Sequence, residues 1–190
     1  MPDNKTVYYL PGHGGLIATG LGEALASRGF SVAGRETVGE FRAQRFPDQL
    51  EIIAQDLRDH FWREDAHVVC VSYGAYLFLH TQTLLPPFPG HVLLLSPIVG
   101  EFSNDDPFRS FVPPRARRLC ELAEAREYPA PKYCEVHVGS EDWQSVPENV
   151  QTFGKWTGIQ VHLVPGRGHD LGKEYVGPLL DQWLSNNSMI

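Results

Sequence analysis

The chain has 190 residues, with 42% hydrophobic and 21% charged side chains, which suits one soluble globular domain. Its formal net charge of −7 argues against a nucleic-acid surface, because such surfaces depend on clustered Lys and Arg. The first residues have no secretion-signal pattern, and no apolar run approaches the roughly 20 residues that a membrane span needs.

Short apolar runs alternate with helical patterns along the chain. In chain order we predict strand 5–10, helix 18–28, strand 30–33, helix 48–61, strand 67–71, helix 72–84, strand 91–95, helix 115–128, strand 133–138, helix 147–156, strand 159–164 and a helix from 173. Asp48 and Glu51 have the spacing of a capping box, which predicts Asp48 as the cap of its helix. Most strands are continuous apolar runs, which is typical of a parallel sheet covered on both faces. The sequence therefore predicts one α/β domain over 1–190, a three-layer sandwich with a six-stranded, mostly parallel sheet.

The third predicted strand ends at Cys70-Val-Ser72-Tyr-Gly74 and passes directly into a helix. This is the G-x-S-x-G pattern of a nucleophile elbow, with Cys in place of the first Gly. The turn is so sharp that the residues two before and two after the serine must be small. Gly74 meets this need fully and Cys70 adequately. Ser72 is therefore the predicted nucleophile, and its alternative role is to cap a buried helix.

Two further candidates follow later strands. The fifth strand leads into Gly139-Ser-Glu-Asp142, and the sixth into Pro165-Gly-Arg-Gly-His169. The chain order Ser, Asp, His, each just beyond a strand end, is the order of a triad on the α/β-hydrolase fold. His169 would take the serine proton, and Asp142 would fix the imidazole tautomer and stabilise the imidazolium.

Three other carboxylates compete for the role of the acid. Glu141 is adjacent to Asp142, and Asp105 and Asp106 follow the fourth strand. The Gly139-Ser-Glu lead-in favours Asp142.

The glycine-rich loop after the first strand, Pro11-Gly-His-Gly-Gly15, predicts an oxyanion hole. Its donors would be the backbone N–H of Tyr73 and one N–H of this loop, at His13 or Gly14. Preorganised donors of this kind typically contribute about 3–4 kcal/mol each when measured by removal.

These motifs resemble one known family. The Pro11–Gly15 loop, the serine elbow, the segment Gly139-Ser-Glu-Asp142 and Gly168-His169 are similar to the compact α/β-hydrolases of the retinoblastoma-binding-protein-nine type. The resemblance covers nearly the whole chain. It implies a reduced hydrolase sheet without the first two strands of larger members, and no large lid. It also implies serine hydrolase activity with Ser72, Asp142 and His169 as the catalytic residues. The chain departs from the family at Cys70-Val71, where Gly-His is usual.

Other chemistry has weaker support. Gly12-x-Gly14 suggests dinucleotide binding, but Ile17 stands where the third glycine would fall, and no Gly-Lys-Ser/Thr follows to make a P-loop. The histidines outside the predicted triad lack metal-ligand spacing, and His137 and His162 fall within strands, where a structural role is expected. We therefore expect no metal and no cofactor.

The predicted reaction is acyl transfer from a small ester-like substrate to water through an acyl-enzyme. The 98–132 segment holds one helix and a loop, so we expect no large lid and an open site for short acyl groups. Five residues are candidates for the pocket rim, and ordinary packing or loop surface is the alternative for each: Tyr73, Phe102, Phe108, Arg109 and Trp143.

Two alternatives stay open. One is a different reaction of the same triad, as a thioesterase, amidase, peptidase or acyltransferase. The other is a non-catalytic interaction protein that has kept the fold.

The three cysteines, Cys70, Cys120 and Cys134, are an odd number at wide spacing, which predicts free thiols and a cytoplasmic protein. We expect no nucleic-acid or membrane partner.

Overall fold

The computed structural model describes residues 5–102 and 113–187. In chain order the elements are β1 (Thr6–Leu10), α1 (Leu21–Ala26), β2 (Ser31–Gly34), α2 (Gly39–Ala43), α3 (Phe46–Asp56), β3 (His67–Val71), α4 (Tyr73–Gln82), β4 (His91–Leu95), α5 (Arg118–Glu124), β5 (Tyr133–Gly139), α6 (Pro147–Thr157), β6 (Gln160–Val164) and α7 (Lys173–Asn187). A π-helical turn at Leu57–Phe61 continues α3. Within these two ranges, no helix is long and apolar enough to cross a membrane.

The six strands form a parallel sheet in the order β2-β1-β3-β4-β5-β6. Their carboxyl ends therefore lie at one edge of the sheet. The chain adds β2 on one side of β1 and β3 on the other, so the strand order reverses between β1 and β3. Such a switch point is where open α/β sheets bind their ligands. The Pro11–Gly15 loop and Ser72 follow the two strands that flank it.

Alternation of side chains along each strand divides the interior into two cores. On one face, Val68 and Cys70 of β3 pack with apolar residues of α3, α4, α5 and α6. On the other, Val69 packs with residues of α1 and α7. This arrangement confirms the predicted three-layer sandwich. It also explains why nearly every residue of α4 is buried, since the helix lies between the sheet and α3.

Some helix boundaries differ from the predicted ones. The prediction that Asp48 caps this helix was wrong. Helix α3 begins earlier, at Phe46, with a proline in its first turn, where the fixed φ of proline favours helix initiation. Asp48 instead pairs with the Arg45 side chain at 2.7 Å. The fifth helix begins at Arg118 rather than 115, because Arg115 is in the left-handed region with φ 57°.

Because His80 in α4 is buried, we expect the folded protein to lose stability in acid. Its ring lies 4.5 Å from the Tyr76 ring and 5.2 Å from the Phe46 ring, between centroids. Burial, with smaller contributions from Arg115 and Arg118, lowers the pKa of His80 to about 3. The unfolded chain takes up this proton near pH 6.5, so protons favour unfolding as the pH falls from there towards 3.

We therefore expect the free energy of unfolding, measured in denaturant at pH 7 to 4, to fall less steeply in His80→Phe than in the wild type. The difference in slope should approach about 1.4 kcal/mol per pH unit for one proton. The slope is compared because the substitution also changes core packing. His60→Phe, at an exposed histidine, should keep the wild-type slope. Equal slopes in His80→Phe and the wild type would contradict the assignment.

Candidate active site

Ser72 lies in the sharp turn between β3 and α4, with φ 50° and ψ −113°. Few residues other than glycine adopt a positive φ, and such strain is concentrated at functional sites. The turn requires glycine at position 74, because a Cβ there would lie 2.2 Å from the Leu10 carbonyl oxygen. Cys70 is fully buried in the core and tolerated by the turn. The departure at Cys70 therefore leaves the predicted elbow geometry in place.

His169 lies in the loop between β6 and α7, and its Nε2 is 2.7 Å from Ser72 Oγ. This loop packs tightly on the end of β5. A Cβ at Gly139 would lie 2.2 Å from the Arg167 carbonyl oxygen, so only glycine permits the approach. The Ser96 hydroxyl donates to the His169 carbonyl at 2.9 Å, which anchors the loop to the end of β4.

Asp142 completes the hydrogen-bonded chain. Its carboxylate oxygens lie 2.9 and 3.0 Å from His169 Nδ1, so a neutral ring that donates there accepts the serine proton at Nε2. Asp142 is 2% exposed. Burial by itself would raise the pKa of its carboxyl, but hydrogen bonds from the His169 ring and from two backbone N–H groups outweigh it and lower the pKa. The carboxylate is therefore ionised at neutral pH.

Two serines that we did not single out from the sequence support this chain. Ser145 is fully buried, its N–H donates to Asp142 at 2.9 Å, and its hydroxyl donates to the Ser96 carbonyl at 2.6 Å. Ser96 has φ 47°, another strained position at a strand end. Single serines after strands are common, so the sequence carries little signal for either residue.

The competing acids are placed differently. Glu141 is exposed, and its backbone N–H donates to the Arg167 carbonyl at 2.8 Å. Asp105 and Asp106 lie outside the described residues, as do the rim candidates Phe108 and Arg109. Of the other rim candidates, Trp143 is exposed and packs edge-on against Phe102, with ring centroids 5.7 Å apart.

The glycine-rich first loop lies against the nucleophile. A Cβ at Gly12 would be 3.6 Å from Ser72 Cβ, and the His13 ring is 5.8 Å from the Tyr73 ring between centroids. Thr37 holds the loop, since its hydroxyl donates to the Gly12 carbonyl. The Gly14 N–H donates to the Thr37 carbonyl at 3.3 Å, so this predicted oxyanion donor already has an acceptor.

Two cavities flank helix α7. One, of about 710 Å³, adjoins His169 and is lined by residues of α1 and α7 and by the ends of β3 and β4. The other, of about 850 Å³, lies between α7 and strands β4 to β6. It contains Glu135, His137 and His162, the one group of three potential metal ligands found among residues 5–102 and 113–187.

No protein-family model matches the chain, and no curated protein sequence matches it. Solved structures do. A monoacylglycerol lipase of Paleococcus ferrophilus is similar with a TM-score of 0.68 at 15% identity, over 98% of this chain and 96% of that one. The thioesterase RedJ of Streptomyces coelicolor is similar with a TM-score of 0.61 at 17% identity, over 97% and 87%.

A predicted CIB-like hydrolase from Thermoplasma acidophilum is also similar, with a TM-score of 0.65 at 13% identity, over 96% of this chain and 86% of that one. The chain has the α/β-hydrolase fold. At these identities the likeness concerns the fold alone.

Proposed function

We propose that the chain is a serine hydrolase that cleaves a small ester-like substrate, with Ser72 as nucleophile, His169 as base and Asp142 as its orienting acid. One observation carries the proposal: the uninterrupted contact from Ser72 Oγ to His169 Nε2, 2.7 Å, and from His169 Nδ1 to the Asp142 carboxylate, 2.9 Å. A serine hydroxyl is a weak nucleophile until a base takes its proton, and this arrangement supplies that base in the correct tautomer.

The reaction follows from these contacts. Ser72 Oγ attacks the substrate carbonyl as its proton passes to His169 Nε2, and the ionised Asp142 stabilises the resulting imidazolium. His169 then protonates the leaving alcohol, which gives an acyl-enzyme. Water attacks this ester with His169 again as base, and the acid is released.

The oxyanion is proposed to bind the backbone N–H of Tyr73, at the start of α4, and that of His13. We favour His13 over Gly14 because the Gly14 N–H already donates to the Thr37 carbonyl. Tyr73 is the first residue of α4, and helix amino termini favour negative charge, which would stabilise the oxyanion there.

The predicted membership of the retinoblastoma-binding-protein-nine type stays a proposal, supported by the elbow, the first loop and the reduced six-stranded sheet. A cytoplasmic location is proposed in the same way. The free thiols of Cys70, Cys120 and Cys134 support it.

Labelling with a fluorophosphonate probe tests the nucleophile, because the probe reacts with activated serines. We expect the wild type to be labelled at one site and Ser72→Ala to lose the label completely while keeping its circular dichroism spectrum. Ser185→Ala, at an exposed serine of α7, is the matched control and should label normally. A folded wild type that resists the probe would favour the interaction-protein alternative, and labelling of Ser72→Ala would assign the nucleophile elsewhere.

A substrate panel tests the leaving group and the acyl chain. We expect acetate and butyrate p-nitrophenyl esters to show a higher kcat/KM than decanoate or palmitate esters, because the sequence predicts no large lid over the proposed site. Acyl thioesters and amides of matched chain length belong in the same panel, since RedJ, which shares the fold, is a thioesterase. Faster turnover of long-chain esters would contradict the short-acyl proposal, and a preference for thioesters would select the thioesterase alternative.

A further inference from the structure

Three side chains outside the triad converge on the sheet face that carries α1 and α7. Glu135 and His137 are two apart on β5 and so point to the same face. His162 is the register partner of His137 on β6, and the two imidazole rings stack with centroids 4.5 Å apart. Nitrogen and carboxylate donors therefore meet beside the cavity between α7 and the sheet.

The donor atoms are close enough for one ion. Nε2 of His137 is 3.8 Å and Nε2 of His162 is 4.0 Å from oxygens of Glu135, and all three ligand atoms lie within 4.8 Å of one another. Ligand distances of about 2.0–2.2 Å place two ligands of a tetrahedral Zn²⁺ about 3.3–3.6 Å apart. The two nitrogen–oxygen distances exceed this spacing by less than about 1 Å, and the widest pair exceeds it by at most about 1.5 Å, so side-chain rotations of that size would close the cluster around an ion.

Both Nε2 atoms are buried, and neither makes a hydrogen bond to any residue that the structure describes. The His137 side chain is only 5% exposed, so water does not readily compensate it. Buried polar atoms in proteins are almost always satisfied, and two adjacent exceptions aimed at one carboxylate call for a partner.

Tyr175 of α7 orients the buried histidine. Its hydroxyl lies 2.7 Å from His137 Nδ1. If Nδ1 carries the proton and donates to the tyrosine oxygen, the Nε2 lone pair points at the cluster. A second partner of this kind commonly fixes the tautomer of a metal-binding histidine.

We propose that Glu135, His137 and His162 bind a divalent transition-metal ion, preferentially Zn²⁺. Two imidazoles and one carboxylate suit Zn²⁺, whereas Ca²⁺ and Mg²⁺ prefer oxygen ligands. The cavity beside the cluster leaves room for water as a fourth ligand. The ion would join β5 to β6, the strands that lead to Asp142 and His169. It therefore acts as a clamp under the two loops, away from the proposed reaction centre.

Titration of chelator-treated full-length protein with Zn²⁺ by calorimetry tests the site. We expect one ion per chain with micromolar or tighter affinity and a raised Tm. His162→Gln, at a partly exposed position, should weaken binding at least about tenfold and abolish the Tm increase. Tyr175→Phe should weaken binding by about 10-fold or more while leaving the stoichiometry unchanged.

Three controls separate this site from other zinc ligands. His60→Gln, at an exposed histidine, and His169→Gln, in the proposed triad, should bind Zn²⁺ like the wild type. Co²⁺ in place of Zn²⁺ should give visible d–d bands without a thiolate charge-transfer band. Absence of binding, equal binding by His162→Gln, or a thiolate band would each overturn the proposal.

Discussion

Replacement of His169 by alanine is expected to lower kcat for ester hydrolysis at least about a thousandfold, with the protein still folded. The imidazole Nε2 lies 2.7 Å from Ser72 Oγ, and without this base the hydroxyl keeps its proton. The His169 side chain is partly exposed, and the loop is anchored by its backbone, through the bond from Ser96 to the His169 carbonyl. Truncation of the ring should therefore spare the fold.

Steady-state kinetics with a p-nitrophenyl ester, together with thermal unfolding, check this result. His60→Ala removes an exposed histidine elsewhere and should leave kcat within about twofold of the wild type. Because the proposed oxyanion donors survive in His169→Ala, the residual rate should still exceed that of the uncatalysed reaction. A variant that keeps most of its activity would remove His169 from the mechanism.

Replacement of Asp142 by asparagine is expected to lower kcat by about 10³- to 10⁴-fold. The amide is almost the same size as the carboxylate, so it fits the buried position. It offers an N–H group to His169 Nδ1, which favours the tautomer that carries its proton on Nε2. That ring cannot accept the proton of Ser72, and an imidazolium next to a neutral amide loses its charge partner.

Glu141→Gln provides the matched control for Asp142→Asn. Glu141 is the adjacent acid and the closest competitor in the sequence, but its side chain is exposed. We expect wild-type kcat in Glu141→Gln. If Glu141→Gln loses activity and Asp142→Asn keeps it, the acid has been assigned to the wrong residue.

Much of the fold could be predicted because the relevant patterns are local. Continuous apolar runs indicated the strands, and each predicted site residue could be placed because it follows the end of one. Parallel strands bring their carboxyl ends to one edge. Because Ser72, Asp142 and His169 each come just after a strand end, they could be expected at that same edge. The structure brings their side chains into contact.

What the sequence could not supply depends on contacts between distant segments. The Asp48 capping box has the right spacing but lies inside a helix that a nearby proline had already begun. The metal cluster proposed here was missed because His137 and His162 are neighbours only through the register of β5 and β6. A search for ligand spacing along one segment has no access to that register.

The close packing at Gly139 joins the loop that carries Asp142 and the loop that carries His169 into one unit. The Glu141 N–H donates to the Arg167 carbonyl at 2.8 Å, and the Gly166 N–H donates to the Ser140 hydroxyl at 2.8 Å. Movement of one loop alone would break both of these bonds. Grafting one of them from another protein of the α/β-hydrolase fold should therefore fail where grafting both together succeeds, and natural variation in their lengths should be correlated.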